Sequence, residues 1–213
     1  MHGGWLPVKT GRWLLVSSSC ARLSIVTTRV RKPSAAPGEL ELVRRFVNTL
    51  DLDTGVDELG SPLAASAWLG KQGWRTRVGR RGLDDLLTAR EALRDLMGGR
   101  GTQLETEGEA ALDAIARQHP LRVQVSAPDP LQPTSKDGVG AFLERILALV
   151  AAARIDGSWE RMKSCANDQC RWLFYDHSRN RSRTWCTMDI CGAEAKMRTY
   201  RRRRAAGAAP PTS

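Results

Sequence analysis

Histidine is scarce in this chain of 213 residues: only His2, His119 and His177 occur, so general-base chemistry of the imidazole type has few candidates. The compact catalytic motifs are missing as well. There is no Gly-x-x-x-x-Gly-Lys-Ser/Thr loop, no His-Glu-x-x-His and no Gly-x-Ser-x-Gly elbow. No apolar run approaches the roughly 20 residues that a helix needs to cross a bilayer. Trp13 to Val16 and Ile25-Val26 are apolar, but Arg12 and Arg22 interrupt them. Lys9 and Arg12 ahead of Trp13 have the charge of a signal peptide but not its apolar length, and no Ala-x-Ala site follows. These absences argue against an enzyme, so no catalytic residue is assigned, and against a membrane protein. A cytoplasmic binding protein is the expectation.

Cysteine is also rare, and four of the five sit in one 27-residue stretch, Cys165-x4-Cys170-x15-Cys186-x4-Cys191. Two close pairs separated by a loop suit a tetrahedral thiolate site, each pair chelating one edge of the metal. One structural zinc ion is the expected occupant. Two disulfides and an iron–sulfur cluster are the competing readings; a reducing cytoplasm disfavours the first and the ligand spacing disfavours the second. His177 lies between the pairs, but four thiolates already complete a structural zinc site. Four cysteines also close the coordination shell that a catalytic zinc would need open.

Around the cysteines the residues describe a small fold. Trp172 to Tyr175 suits a strand, Asp176 to Asn180 a turn, and Arg183 to Trp185 a returning strand. Good helix formers run from Ala193 to Arg204 with no proline among them. Charge is segregated. Residues 161–204 carry twelve Lys or Arg against four Asp or Glu, a net +8, whereas residues 39–160 carry fifteen against nineteen, a net −4, and residues 1–38 carry six bases and no acid. A positive field concentrated on a zinc module favours a polyanionic partner, because each cation set against a phosphate releases counterions. A solubilising tail is the plainer reading of the tetra-Arg run alone.

Upstream, helical periodicity dominates. Leu40, Val43, Phe46, Val47 and Leu50 fall on one face. Ser61-Pro62 reads as an N-cap and first-turn proline leading into Leu63 to Leu69. Further helices are expected from Leu83 to Met97, stopped at Gly98-Gly99, from Glu105 to Gln118, and from Asp137 to Arg154, ended by Gly157. Leu121, Val123 and Val125 alternate as a short strand, and the stretch with Pro128, Pro130 and Pro133 is a loop or a partner edge strand. Trp68 and Trp74 stand near glycines, where helix packing is the simpler reading than a pocket wall. Lys32 to Gly38 reads as a linker.

The segment Trp159 to Cys165, then Cys170-Arg-Trp-Leu-Phe-Tyr-Asp176 through Trp185-Cys186-Thr-Met188, then Cys191-Gly192 with Lys196, Tyr200 and Arg201, resembles the CGNR zinc finger family. Phe46-Val-Asn48-Thr-Leu-Asp51 followed by Leu63 to Leu69 resembles the ABATE domain that accompanies this finger. The resemblance implies zinc ligands at Cys165, Cys170, Cys186 and Cys191, a stress-induced transcription regulator, and DNA contact through the finger. One departure stands out: the family's Cys-Gly-Asn-Arg reads Cys191-Gly192-Ala193-Glu194 here. Either the family's Arg contact is gone, or the position is structural and Glu194 pairs with Lys196 or Arg198. Asn48 matches the motif, and bridging a buried turn is its simpler role than contacting a ligand.

The expected fold is mainly α with a short β element: a helical domain over 39–157, then a treble-clef-like finger of hairpin and helix over 158–204. Residues 1–38 are expected to be a disordered leader or an over-long start, with Cys20 a spare thiol, and 205–213 a disordered tail. The function expected is a zinc-dependent, DNA-binding transcriptional regulator, cytoplasmic and nucleoid-associated. Its nucleic-acid contacts are Arg179, Arg181, Arg183, Lys196, Arg198, Arg201, Arg202, Arg203 and Arg204, and its helical domain senses an unknown effector or forms a homodimer. The alternative is a zinc-stabilised adaptor that docks a protein or single-stranded RNA through Trp172 or Trp185.

Overall fold

Leu40, Val43, Phe46 and Val47 form the buried face of α1 (Leu40–Val47) in the computed structural model, as their spacing requires. The structure describes residues 5–8, 12–15, 32–136 and 138–207, with backbone only for the first two stretches and for residue 206. The chain divides into two compact units, 1–31 and 32–213. In the first, β1 (Trp5–Val8) and β2 (Arg12–Leu15) pair antiparallel, Trp5 opposite Leu15. The rest of the expected leader up to residue 31, Cys20 included, and residues 208–213 of the expected tail lie outside the described residues.

In the second unit the helices follow the sequence pattern closely. The α2 helix (Pro62–Lys71) starts where Ser61 Oγ accepts the Ala64 N–H at 3.1 Å, with Pro62 in the first turn, where its missing N–H costs nothing. The α3 helix (Arg80–Gly98) and α4 (Gln103–Gln118) form a tight hairpin. Gly108 makes the close approach possible: a Cβ there would lie 2.7 Å from the Ala92 carbonyl oxygen and 2.8 Å from the Leu96 nitrogen. Next, β3 (Leu121–Val123) pairs antiparallel with β4 (Leu131–Pro133), so the proline-rich stretch supplies the partner edge strand. The α5 helix (Gly138–Asp156) ends at Gly157, whose φ of 78° is a left-handed stop that glycine adopts without strain.

The core is built around rings. Phe142 of α5 meets Phe46 of α1 edge-on at 5.2 Å between centroids, and Trp68 and Trp74 approach the same ring at 5.9 and 5.7 Å. Both tryptophans therefore serve packing. A short 3-10 turn (Ser158–Arg161) follows α5 and leads into β5 (Met162–Ser164), which pairs antiparallel with β6 (Leu173–Tyr175). Trp159, Met162, Leu173 and Tyr175 share one continuous core with the residues of α1, α3 and α5. No linker separates the helical part from the cysteine-bearing part. Among the described residues, no helix is long and apolar enough to cross a membrane.

The hairpin partner differs from the one that the sequence suggests. Arg183 to Trp185 forms no strand; Met162–Ser164 occupies that place. The cause is Asp176, whose buried carboxylate accepts from Lys163 Nζ at 2.8 Å and from the Ser178 and Arg183 N–H groups at 2.9 Å each. These bonds curl residues 176–183 into a closed loop and leave the chain beyond it without strand geometry.

Candidate metal centre

The β5–β6 hairpin carries the first cysteine pair at its tip. Cys165 N–H donates to the Trp172 carbonyl at 2.9 Å, and Cys170 and Arg171 donate to the Asn167 carbonyl at 2.8 and 3.0 Å. Arg171 takes a positive φ of 48°, which turns the chain sharply enough to bring Cys170 back beside Cys165. In the second pair Cys186 lies just ahead of a wide turn (Met188–Gly192) that carries Cys191 and is closed by Gly192 N–H donating to the Thr187 carbonyl at 3.1 Å. This turn runs directly into α6 (Ala193–Gly207). A bond from Ala166 N–H to the Thr184 carbonyl at 3.1 Å ties the two knuckles together.

All four sulfurs are buried and lie within 4.8 Å of one another. Cys170 and Cys186 Sγ are 3.6 Å apart, and Cys186 and Cys191 Sγ 3.7 Å. Sulfurs about 2.3 Å from a common tetrahedral centre would be separated by about 3.8 Å, so the cage has the size of one zinc ion. It is too small for a cluster of several iron and sulfide atoms. All four cysteines are free thiols, and the measured separations are far longer than a disulfide's roughly 2.05 Å.

The electrostatics of the cluster point the same way. S–H donation, first from Cys170 and then from Cys186, holds the Cys165 thiol well below the usual thiol range. The Cys170 thiol is pushed up by donating to Cys165 and Cys186 and by burial, and Cys186 is also raised, chiefly by its bond to Cys165. Thiols this close cannot all ionise unless a cation sits among them. Asn167 completes the surroundings: its Nδ2 is 3.8 Å from Cys191 Sγ and donates to Glu194 Oε2 at 3.0 Å.

Several of these supports were hidden in the sequence. Asn167 and Asp176 carried no signal beyond a turn-forming type, and only the fold reveals their contacts. Asp176, wholly buried, is raised by burial but lowered more by the Lys163 ammonium and the Ser178 and Arg183 donors, ending well below the usual carboxylate range. His177 stands outside the cage, its Nε2 2.8 Å from the Ala35 carbonyl and its ring 4.9 Å from that of Tyr175. Residues 34 and 35, read as linker, lie against the finger, and the Tyr175 N–H donates to the Ser34 carbonyl at 3.1 Å.

The predicted basic residues fall into distinct places. Lys196, Arg198 and Arg201 to Arg204 are exposed along α6, and none is ion-paired with a carboxylate among the described residues. Arg179 and Arg181 are exposed on the loop between the cysteine pairs. Arg183 turns inward: it donates to the Trp185 and Cys186 carbonyls at 2.9 and 2.6 Å and to Ser34 Oγ, and its guanidinium lies 5.1 Å from the Phe174 ring centre. Of the two alternatives open for Glu194, local pairing with Lys196 or Arg198 is not what the structure shows; Asn167 is its partner. The carboxylate occupies the first turn of α6, where the helix dipole favours an anion.

Residues 40–156 match the model of the ABATE family, described as "Putative stress-induced transcription regulator". The chain belongs to the ABATE family. Residues 161–204 match the CGNR zinc finger model, which covers the whole cysteine cage and most of α6. No curated protein matches the chain. Both matched families are of regulator and zinc-finger type, not enzyme families. The ABATE protein thus binds one structural zinc ion through its finger, and what the metal supplies is a fixed chain path, since four thiolates leave it no open position.

Proposed function

We propose that this protein is a DNA-binding transcription regulator of the nucleoid in which α6, held by the zinc cage, lies against duplex phosphates. The observation that carries this reading is the free charge of α6. Six cations, Lys196, Arg198, Arg201, Arg202, Arg203 and Arg204, stand exposed on one helix whose N-terminus is fixed at Cys191. Charges already neutralised within a protein add little to phosphate binding, whereas these have no carboxylate partner among the described residues. Arg179 and Arg181 add exposed charge on the loop between the cysteine pairs, and Arg183 braces the finger from inside. A helix fits the major groove and can follow the backbone with its arginines. The helical part supplies the input, as an effector-sensing or dimerising unit.

The test is equilibrium binding of the full, zinc-loaded chain to genomic duplex fragments over a range of salt. With six phosphates engaged, log K should fall against log salt with a slope of about −5. Folded, zinc-loaded protein that binds no duplex at low salt, or binds with no salt dependence, would sink the proposal. Retention of a purified protein partner under those conditions would favour the adaptor reading.

A further inference from the structure

We infer that the cleft between Trp185 and α6 takes an unpaired nucleobase of the bound strand, its phosphates resting on Lys196 and Arg203. The inference rests on the nucleic-acid reading above and deepens it.

The cleft is open and encloses about 380 Å³, within the range of small-ligand sites. The indole of Trp185 forms one wall, and Ala195 and Thr199 provide a floor of small side chains. Tyr200, Lys196 and Arg203 complete the rim. Positions 192, 196, 199, 200 and 203 recur at intervals of three and four, so they form a single stripe along the helix. The wall is held in place. A Cβ on Gly192 would sit 3.4 Å from Trp185 Cδ1, so the indole lies against the helix backbone, while Arg183 Nε fixes the Trp185 carbonyl at 2.9 Å. The phenol is available: Tyr200 is 58% exposed.

Chemistry narrows the occupant. No acid lines the cleft, because Glu194 is engaged by Asn167 away from this stripe. Aromatic side chains with cations at the rim and no carboxylate select an anion with a flat apolar body, and a nucleotide has that form. A bare phosphate would leave Trp185 and Tyr200 unused, and an aromatic peptide side chain would leave both cations unused. Bases in an intact duplex have their faces covered by stacking, so only an extruded or single-stranded base can enter.

The experiment uses the full zinc-loaded chain and three labelled oligonucleotides of one sequence: a perfect duplex, the same duplex with one bulged base, and the same with an abasic bulge. The bulged base should bind about tenfold tighter than the perfect duplex, and the abasic bulge should lose that gain. Tyr200→Ala, at an exposed position, should abolish the preference while leaving perfect-duplex affinity within about twofold. Trp185→Leu should do the same where zinc content and circular dichroism show an intact fold. Salt-dependent duplex binding with no preference for the bulge would overturn the inference and leave the function proposed above standing. A preference that survives the abasic bulge or Tyr200→Ala would also overturn it. If none of the three oligonucleotides binds, both readings fall together.

Discussion

Asn48, the residue that ends α1, holds the backbone of Leu173 from both sides: its Nδ2 donates to the Leu173 carbonyl at 2.9 Å and its Oδ1 accepts the Leu173 N–H at 2.8 Å. The two residues are 125 positions apart. An amide side chain used this way replaces a neighbouring strand, satisfying the outer edge of β6, where the described residues supply no third strand. Arg171 adds a second tie, donating to Asp95 of α3 at 2.7 Å, and Arg100 donates to the Trp159 and Met162 carbonyls at 3.0 and 2.8 Å.

Asn48→Ala should leave both Leu173 groups without a protein partner and cost about 2–3 kcal/mol. Asn48→Asp should cost at least as much, since its carboxylate can accept the N–H but cannot donate to the carbonyl. Chemical denaturation monitored by tryptophan fluorescence measures both. A variant as stable as the wild type would show that the bridge carries no net free energy.

Zinc removal should be readable in metal content and structure together. Plasma emission analysis should find one zinc per chain. Cys186→Ser, which removes the sulfur 3.6 Å from that of Cys170 and 3.7 Å from that of Cys191, should lose the metal and melt the finger region. Serine at that position with a full zinc complement would contradict the four-sulfur cage.

Asp176 gives a pH prediction with a definite sign. Its folded pKa is depressed, so its stabilising contribution is complete above the unfolded value, about 3.9, and is lost as pH falls through the lower folded value. Asp176→Asn should therefore destabilise the protein by about 2–4 kcal/mol at neutral pH. The gap to wild type should stay flat across the neutral range and narrow only below about pH 4. Denaturation curves of both proteins at a series of pH values check this; a gap that varies between pH 6 and pH 8 would assign the effect to another group.

Glu194→Arg restores the residue type of the family motif at this position. It removes the acceptor of Asn167 and places a cation where the helix dipole is positive, so stability should fall by about 1 kcal/mol. If the new side chain reaches phosphate, the salt slope of duplex binding should steepen by about one. An unchanged slope would mark position 194 as structural in this protein.

How much of this was legible in the sequence follows the range of the interactions. Periodicity located α1, α3 and α5, because the apolar stripes of Leu40 to Val47, Leu86 to Met97 and Phe142 to Val150 are local and repeat with the helix. Cysteine spacing located the metal cage, because a tetrahedral ion demands two short chelating pairs. Pairing between distant segments was not legible. Nothing local says that Met162–Ser164, and not Arg183–Trp185, lies beside β6; that choice is made by Asp176 gathering its donors. The contacts of residues 34 and 35 with Tyr175, His177 and Arg183 were invisible for the same reason, since composition there signals only a loop.

Met162, Leu173 and Tyr175 are common property of the finger and the helices. Metal occupancy and helical stability are therefore linked quantities: an ion that binds only the folded cage draws the equilibrium of the whole unit toward the native state. By the same linkage, a substitution that unfolds α1 or α3 also lowers the apparent affinity for zinc, in proportion to the unfolded population it creates. Loss of the ion would therefore be felt in α1 and α3, helices that carry no cysteine.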